Sequence, residues 1–333
     1  MSAPRLELAL DEGGLRLPDA GRIAVFAPRA GMDLSRLPKD RVVVVSGFAP
    51  DVEAFAAAGY ACAPLAEGNV AAALVVLPRA KRLAQALIAR AVELGAGPVI
   101  VDGTRTDGVD SILKAVRGRV AVSGPVNKAH GKLFWFEGGD FSDWAAGAPQ
   151  ELEGGWRTAP GVFSADGVDP ASALLAGLLP GNLTGRVADL GAGWGYLSAQ
   201  VLKRDGVRSV ELVEAERAAL DCARLNVTDP RAHFHWADAT TWRPEAPMDH
   251  VVTNPPFHQS RAADPGIGQG FIHAARAMLR PGGRLWLVAN RHLPYEEAIR
   301  AGFGTVEEIG GDGRFKVLCA TLSARHGRRD RLT

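Results

Sequence analysis

In Val251-Val252-Thr253-Asn254-Pro255-Pro256-Phe257 an apolar run leads straight into a stiff cluster of hydrogen-bond acceptors and an aromatic ring. Asn254 carries a side-chain carbonyl and Pro255 a backbone carbonyl without an N–H. Pro255 and Pro256 bias the residues before them towards extended geometry. Phe257 adds a face for stacking. The chemistry that needs such a set is methylation of an exocyclic amine on a flat base, whose nitrogen lone pair is delocalised into the ring. If the Asn254 oxygen and the Pro255 carbonyl each accept one N–H, the nitrogen becomes more tetrahedral and its lone pair points at a methyl donor. Positioning and oriented dipoles carry that step. The proton becomes acidic only after alkylation, so a tuned histidine is not required. Asn-Pro-Pro is also an ordinary strand-ending turn; its place after an apolar strand, where open α/β sheets hold ligands, favours the chemical reading.

A methyl donor needs its own site, and Val187-Ala188-Asp189-Leu190-Gly191-Ala192-Gly193-Trp194-Gly195 has the form of one: an apolar strand, a glycine-rich turn, then a helix from about Ser198. Gly191, Gly193 and Gly195 let backbone approach a ligand closely, and their spacing departs from the dinucleotide fingerprint. It is similar to the S-adenosylmethionine motif. Glu214 ends the next strand, 25 positions after Asp189, where an acid can accept from both ribose hydroxyls. Trp236-Ala237-Asp238-Ala239 ends the third, with Asp238 beside Ala239 placed to accept from an adenine amine, or to cap a helix, or both. Four consecutive strand ends thus offer a glycine loop, two acids and the acceptor cluster.

The elements that position these residues alternate. Strands are expected at 186–190, 209–214, 233–236, 249–253 and 284–289, with helical segments between them. A helix at 295–301 follows, and then strands at 305–309 and 315–322 joined by a Gly310-Gly311-Asp312-Gly313 hairpin turn that reverses the last strand. The expected fold is α/β: a doubly wound, mostly parallel seven-stranded sheet with one antiparallel strand, the architecture of class I methyltransferases. The first half repeats the alternation, with strands expected at 22–27, 41–46, 73–77, 98–102 and 119–123 and a helical pattern at 79–94. Residues 137–155 lack periodicity and are rich in Gly, Ala, Pro and acids, so two domains are expected, 1–150 and 151–333.

Bulk properties narrow the function. The 333 residues suffice for two cores. A formal charge of +1, from 38 Lys and Arg against 37 Asp and Glu, excludes a large single-sign field, so a nucleic-acid surface has to be local. Cys62, Cys222 and Cys319 are too far apart in sequence for a metal-ligand pair and odd in number, which argues for buried thiols and against a disulfide framework or a metal centre. Met1 to Glu12 lacks a leader pattern and no apolar run is of membrane-spanning length; a cytoplasmic protein without a membrane or an obligate protein partner is expected.

With those residues in place, the second half resembles the RsmC-type bacterial ribosomal RNA guanine-N2 methyltransferases, a two-domain family. The resemblance covers most of residues 155–322. It also includes Pro160-Gly161-Val162-Phe163-Ser164 leading to Asp166-Gly167, Ala289-Asn290-Arg291-His292-Leu293-Pro294-Tyr295, and Gly313-Arg314-Phe315-Lys316-Val317. It implies that Asn254 to Phe257 hold the target base and that the glycine loop holds the donor's methionine moiety. The substrate it implies is ribosomal RNA, 16S within the 30S subunit. Ala192 stands where members often carry Cys. The first half would be a degenerate duplicate that binds RNA or supports folding. Its donor-loop counterpart, Ala27-Pro28-Arg29-Ala30-Gly31, and its acceptor counterpart, Leu77-Pro78-Arg79-Ala80-Lys81, have lost the chemistry. Arg79, Lys81, Arg82, Lys114, Arg117, Arg119, Lys128, Lys132 and the aromatic run Phe134-Trp135-Phe136 are candidate RNA contacts, although such residues are more often solvated helix faces and strand core. His258 and Gln259 are candidates to read the base or close the pocket, with His258 equally an ordinary loop residue, and the tail from Arg325 to Arg331 is a candidate phosphate grip but more often such a tail is a frayed terminus. Adenine N6, a protein glutamine amide, and a non-catalytic RNA-binding or assembly role remain open alternatives; a nicotinamide oxidoreductase is disfavoured by the glycine spacing.

Overall fold

The computed structural model describes residues 4–256 and 265–323. Contacts divide the chain into two units, Met1–Ala148 and Pro149–Thr333.

In the first unit α1 (Pro4–Asp11) precedes β1 (Ile23–Phe26), β2 (Val42–Val45), α2 (Ala49–Ala57), β3 (Ala61–Ala63), β4 (Ala72–Val76), α3 (Lys81–Glu93), β5 (Val99–Thr104), α4 (Val109–Arg117), β6 (Ser123–Lys128) and β7 (Gly131–Phe136). The sheet order is β3-β2-β1-β4-β5-β7-β6, parallel except for β7. β1 is buried at every residue, as a parallel strand covered on both faces must be. α4 buries Val109, Ile112, Leu113 and Val116, one stripe at helical spacing.

Two expectations for this unit need correction. Residues 119–122 are not strand: the Arg119 and Val120 amides both donate to Val116 O, closing the end of α4, and the strand starts at Ser123. The Val-x-Val pattern there serves a loop whose Val120 and Val122 pack on the core. β3 went unforeseen because Ala-Cys-Ala has none of the β-branched or aromatic residues that signal strands.

The second unit opens with a small hairpin, β8 (Gln150–Glu151) and β9 (Arg157–Thr158). There follow α5 (Pro170–Leu178), β10 (Gly185–Leu190), α6 (Tyr196–Val201), β11 (Val207–Glu214), α7 (Arg217–Asn226), β12 (Ala232–Trp236), β13 (Met248–Thr253), α8 (Pro265–Met278), β14 (Leu279–Asn290), α9 (Tyr295–Gly302), β15 (Thr305–Gly311) and β16 (Phe315–Thr321). The order is β12-β11-β10-β13-β14-β16-β15, with β16 antiparallel to both neighbours. This is the doubly wound sheet with one reversed strand that the sequence leads one to expect. Alternate residues face opposite layers: Ala188 and Leu190 join the cluster around Phe271 and Tyr295, and Val187 joins the one around Leu175 and Leu197. The hairpin turn is shorter than the expected 310–313, since β15 runs through Gly311; Asp312 holds it, its Oδ1 accepting from the Arg314 and Phe315 amides at 2.7 Å each. Because β11 and β13 flank β10 on either side, the winding reverses there. The carboxyl ends of β10, β11 and β13 open onto that crevice.

Candidate functional site

The glycine loop leaves β10 with three residues in the left-handed region: Gly191 at φ +72°, Gly193 at +56° and Gly195 at +90°. Two are also packed. A Cβ on Gly191 would lie 3.2 Å from the Phe271 ring and one on Gly195 2.9 Å from Val227. Gly193 differs, since a Cβ there would meet nothing within 4 Å. Its bareness keeps backbone open to a ligand, which suits the donor expected there. Gly195 caps α6, which begins at Tyr196, two residues before the expected start.

Glu214, at the end of β11, holds this loop. Its Oε2 accepts from the Gly193 amide at 2.8 Å and its Oε1 from the Glu216 amide at 2.7 Å. Burial pushes its carboxyl above the usual range while those amides pull it back down. Each oxygen retains a second lone pair able to accept a further hydrogen bond. Asp189 is fully buried one residue before the strand end. Ser198 Oγ donates to its Oδ2 at 2.7 Å, and its Oδ1 has no partner among the described residues. Desolvation, with the Glu214 charge adding to it, lifts its pKa to about 7. Asp189 therefore lies buried beneath the loop, tied to α6 through Ser198.

The acceptor segment is tied to the donor strand by Thr253, whose buried hydroxyl donates to Leu190 O at 2.8 Å. Asn254 follows. Its Nδ2 donates to Asp169 Oδ2 and to Ser172 Oγ, both at 2.9 Å. With both donor positions spent, the amide is locked in one orientation and Oδ1 is the atom left to accept. Asp169 is the N-cap of α5, accepting from the Ser172 amide at 2.8 Å with Pro170 in the first turn. Gly191, Gly193, Asn254, Asp169, Ser172 and Phe163 line a single cavity. The structure thus brings Asn254 together with the donor loop. It also adds Asp169, Ser172, Thr253 and Ser198, which were not singled out in the sequence; Asp169-Pro170, an N-cap before a first-turn proline, was the available signal.

Asp238 ends β12 and its Oδ1 accepts from the Thr240 amide at 2.8 Å and hydroxyl at 2.7 Å, a turn-capping role that leaves Oδ2 as acceptor. Ala239 beside it is buried. Pro255 and Pro256 continue from Asn254. Phe257, His258, Gln259 and the tail from Arg325 to Arg331 lie outside the described residues. Phe163, in the segment leading to α5, is 55% exposed; its carbonyl accepts from Trp194 Nε1 at 3.1 Å. Asn290, Arg291, His292, Arg314 and Phe315 line a neighbouring cleft that shares Asp169 with the first cavity.

Of the basic candidates in the first unit, Arg79, Lys81, Arg82, Lys114, Arg117 and Lys128 are exposed. Lys132 pairs with Asp110 at 2.6 Å, and Arg119 forms a fork with Asp143 while lying over Trp144. Phe134, Trp135 and Phe136 are buried, so that run is strand core and not a stacking surface. Cys222 is buried, with Cys62 and Cys319 partly so.

Sheet order and strand-end site together define a class I methyltransferase. The methyltransferase small domain model matches residues 154–319. A protein named ribosomal RNA small subunit methyltransferase C from Shewanella oneidensis is 30% identical over 258 residues, 73% of this chain and 75% of that protein. Its namesake from Hahella chejuensis is 37% identical over 161 residues, 48% of this chain, and that match spans about half (47%) of the relative's length. The fold is shared with the T. thermophilus 16S rRNA N2 methyltransferase RsmC, solved with AdoMet and guanosine. The TM-score is 0.77 at 24% identity, covering 96% of this chain and 92% of that one. The chain belongs to the ribosomal RNA small subunit methyltransferase C family.

Proposed function

We propose that this protein transfers a methyl group from S-adenosylmethionine to the exocyclic N2 amine of a guanine in 16S ribosomal RNA, acting on the 30S subunit in the cytoplasm through its second unit. The observation that carries the reading is the locked Asn254 amide: Asp169 and Ser172 take its N–H groups and leave its oxygen as an acceptor in the cavity lined by Gly191 and Gly193. The names of the relatives support the choice of RNA. Among the described residues no helix is long and apolar enough to cross a membrane, and no cluster of metal-ligating side chains occurs.

Gly193, Glu214 and Asp238 fit the donor. Open space over Gly193 admits the methionine moiety against backbone, Glu214 accepts from ribose, and Asp238 Oδ2 accepts from the adenine amine. S-adenosylmethionine, when bound, supplies the electrophilic methyl group. Asn254 Oδ1 and Pro255 O then accept the two N–H bonds of the target amine and turn its lone pair towards that methyl; the N–C bond forms as the S–C bond breaks. The extra proton leaves the alkylated nitrogen afterwards. These acceptors are preorganised, so their benefit is realised mainly in the transition state. The amine cannot reach the cavity within a duplex, so the guanine is unpaired or flipped, at a cost of roughly a few kcal/mol. The adenine-N6 and glutamine-amide alternatives use the same two acceptors and are separated by the product. The test is incorporation of labelled methyl into 30S and 50S subunits from a strain lacking the gene, followed by nucleoside analysis. N2-methylguanosine in 16S RNA is expected; label in neither RNA overturns the reading.

A further inference from the structure

We infer that Asp169 is the residue that tells guanine from other amine-bearing purines, by accepting the guanine N1–H beside the N2 amine held by Asn254. This rests on the guanine reading above and deepens it.

The carboxylate has two oxygens in two situations. Oδ2 is saturated by the Ser172 amide at 2.8 Å and Asn254 Nδ2 at 2.9 Å. Oδ1 has no hydrogen-bond partner among the described residues. Asp169 also lies where two spaces meet: it lines the cavity that holds Asn254 and the donor loop, and it lines the adjoining cleft of Asn290, His292 and Arg314. A base entering from that cleft with its amine on Asn254 brings its next ring atom towards Asp169.

What that ring atom carries separates the purines. In guanine the N2 amine is flanked by N1–H, so two donors stand in a row. Asn254 Oδ1 and Asp169 Oδ1, on two residues that line one cavity, would offer those donors two acceptors, and an ionised carboxylate can only accept. Adenine presents an N1 lone pair beside its amine, and 2-aminopurine keeps the 2-amine of guanine but has a lone pair at N1. Either would set a lone pair against the carboxylate. Rejection then comes from repulsion and an unpaired acceptor as much as from a lost bond. The same carboxylate, through Oδ2, orients the Asn254 amide, so correct positioning of the amine and recognition of its neighbour are properties of one group.

The test compares guanine with 2-aminopurine at the target position of ligated 16S RNA assembled into 30S particles, for the wild type and for Asp169→Asn. The variant keeps an oxygen to cap α5 and to accept from Asn254, and replaces Oδ1 by an NH2 donor. The wild type is expected to favour guanine about ten- to a hundredfold in kcat/KM, the worth of one hydrogen bond to a charged group. In the variant that ratio collapses or inverts, because the new donor pairs with N1 of 2-aminopurine. An equal loss on both substrates overturns the inference and leaves Asp169 only a positioning residue for Asn254. A wild type that uses both bases alike overturns it without any variant. A wild type that methylates neither base defeats the guanine reading itself, an outcome distinct from the other two.

Discussion

The two units carry the same sheet twice, in the same strand order and with the same reversed strand, yet they differ at the strand ends where ligands bind. Strand pairing aligns them residue by residue: Phe26 pairs with Val45 and Val75, as Leu190 does with Val213 and Thr253. In that register Val25 stands for Asp189, Ala27 for Gly191, Ser46 for Glu214 and Val76 for Asn254. The register counterpart of Asn254 is therefore Val76, one residue before the stretch picked out in the sequence. Backbone geometry is shared even where the side chains differ. Ala27 keeps a left-handed φ of +51° where Gly191 has +72°, and its amide donates to Val45 O as that of Gly191 donates to Val213 O. Ser46 still accepts from the Phe48 amide, as Glu214 does from Glu216. Polar groups of the loop in the first unit are paired within that unit. Asp51 Oδ1 accepts from the Ala30 amide at 2.7 Å, and the Arg29 guanidinium lies 5.8 Å from the Phe48 ring and 3.3 Å from Asp51. The apolar interior dictates the sheet, while function hangs on a few polar side chains at its edge that can be lost one at a time.

The sharpest separation of the halves is Asn254→Ala against Val76→Ala. The first should lower methyl transfer to 30S subunits about a hundred- to a thousandfold, the scale for removing one transition-state acceptor or donor, with S-adenosylmethionine affinity by calorimetry within about twofold. The second should leave turnover unchanged; equal losses would erase the distinction. Next is Glu214→Ala, which frees the Gly193 and Glu216 amides and should weaken donor binding about ten- to a hundredfold, whereas Ser46→Ala should not alter it.

Asp189 and Val25 predict a difference in pH response. Burial raises the folded-state pKa of Asp189 from 3.8 to about 7, so between those values the folded state holds a proton that the unfolded state has released. Stability from this group is complete below about 4 and is lost as pH rises through about 7. Melting of Asp189→Asn should depend less on pH over that window than melting of the wild type; parallel curves would show that the carboxyl stays ionised. Smallest is the glycine exchange. Gly191→Ala has to hold a left-handed alanine with its Cβ 3.2 Å from Phe271 and should cost about 1–3 kcal/mol of stability. Ala27→Gly should change stability by less than about 1 kcal/mol and leave activity intact.

Much is legible in the sequence because it depends on neighbours along the chain. Apolar runs with polar ends identify the strands of the second sheet, glycines at 191, 193 and 195 identify a loop with left-handed backbone, and the Asn-Pro-Pro run identifies a strand end rich in acceptors. The stretch at 119–122 misled because an apolar pattern does not say whether a strand or a helix-ending loop buries it, and Ala61–Ala63 escaped because small residues become strand only through the partner beside them. By itself the sequence determined the alternation of elements, the glycine loop that follows β10 and the acceptor-rich segment that follows β13. Only the tertiary structure decided that Asp169, 85 positions from Asn254, fixes which atom of that amide faces the cavity, and that Asp189 is sealed under the loop instead of lining it. Local propensity acts over a few residues, whereas amide orientation, burial and hydrogen-bond partners are settled by groups that only folding brings within 3 Å.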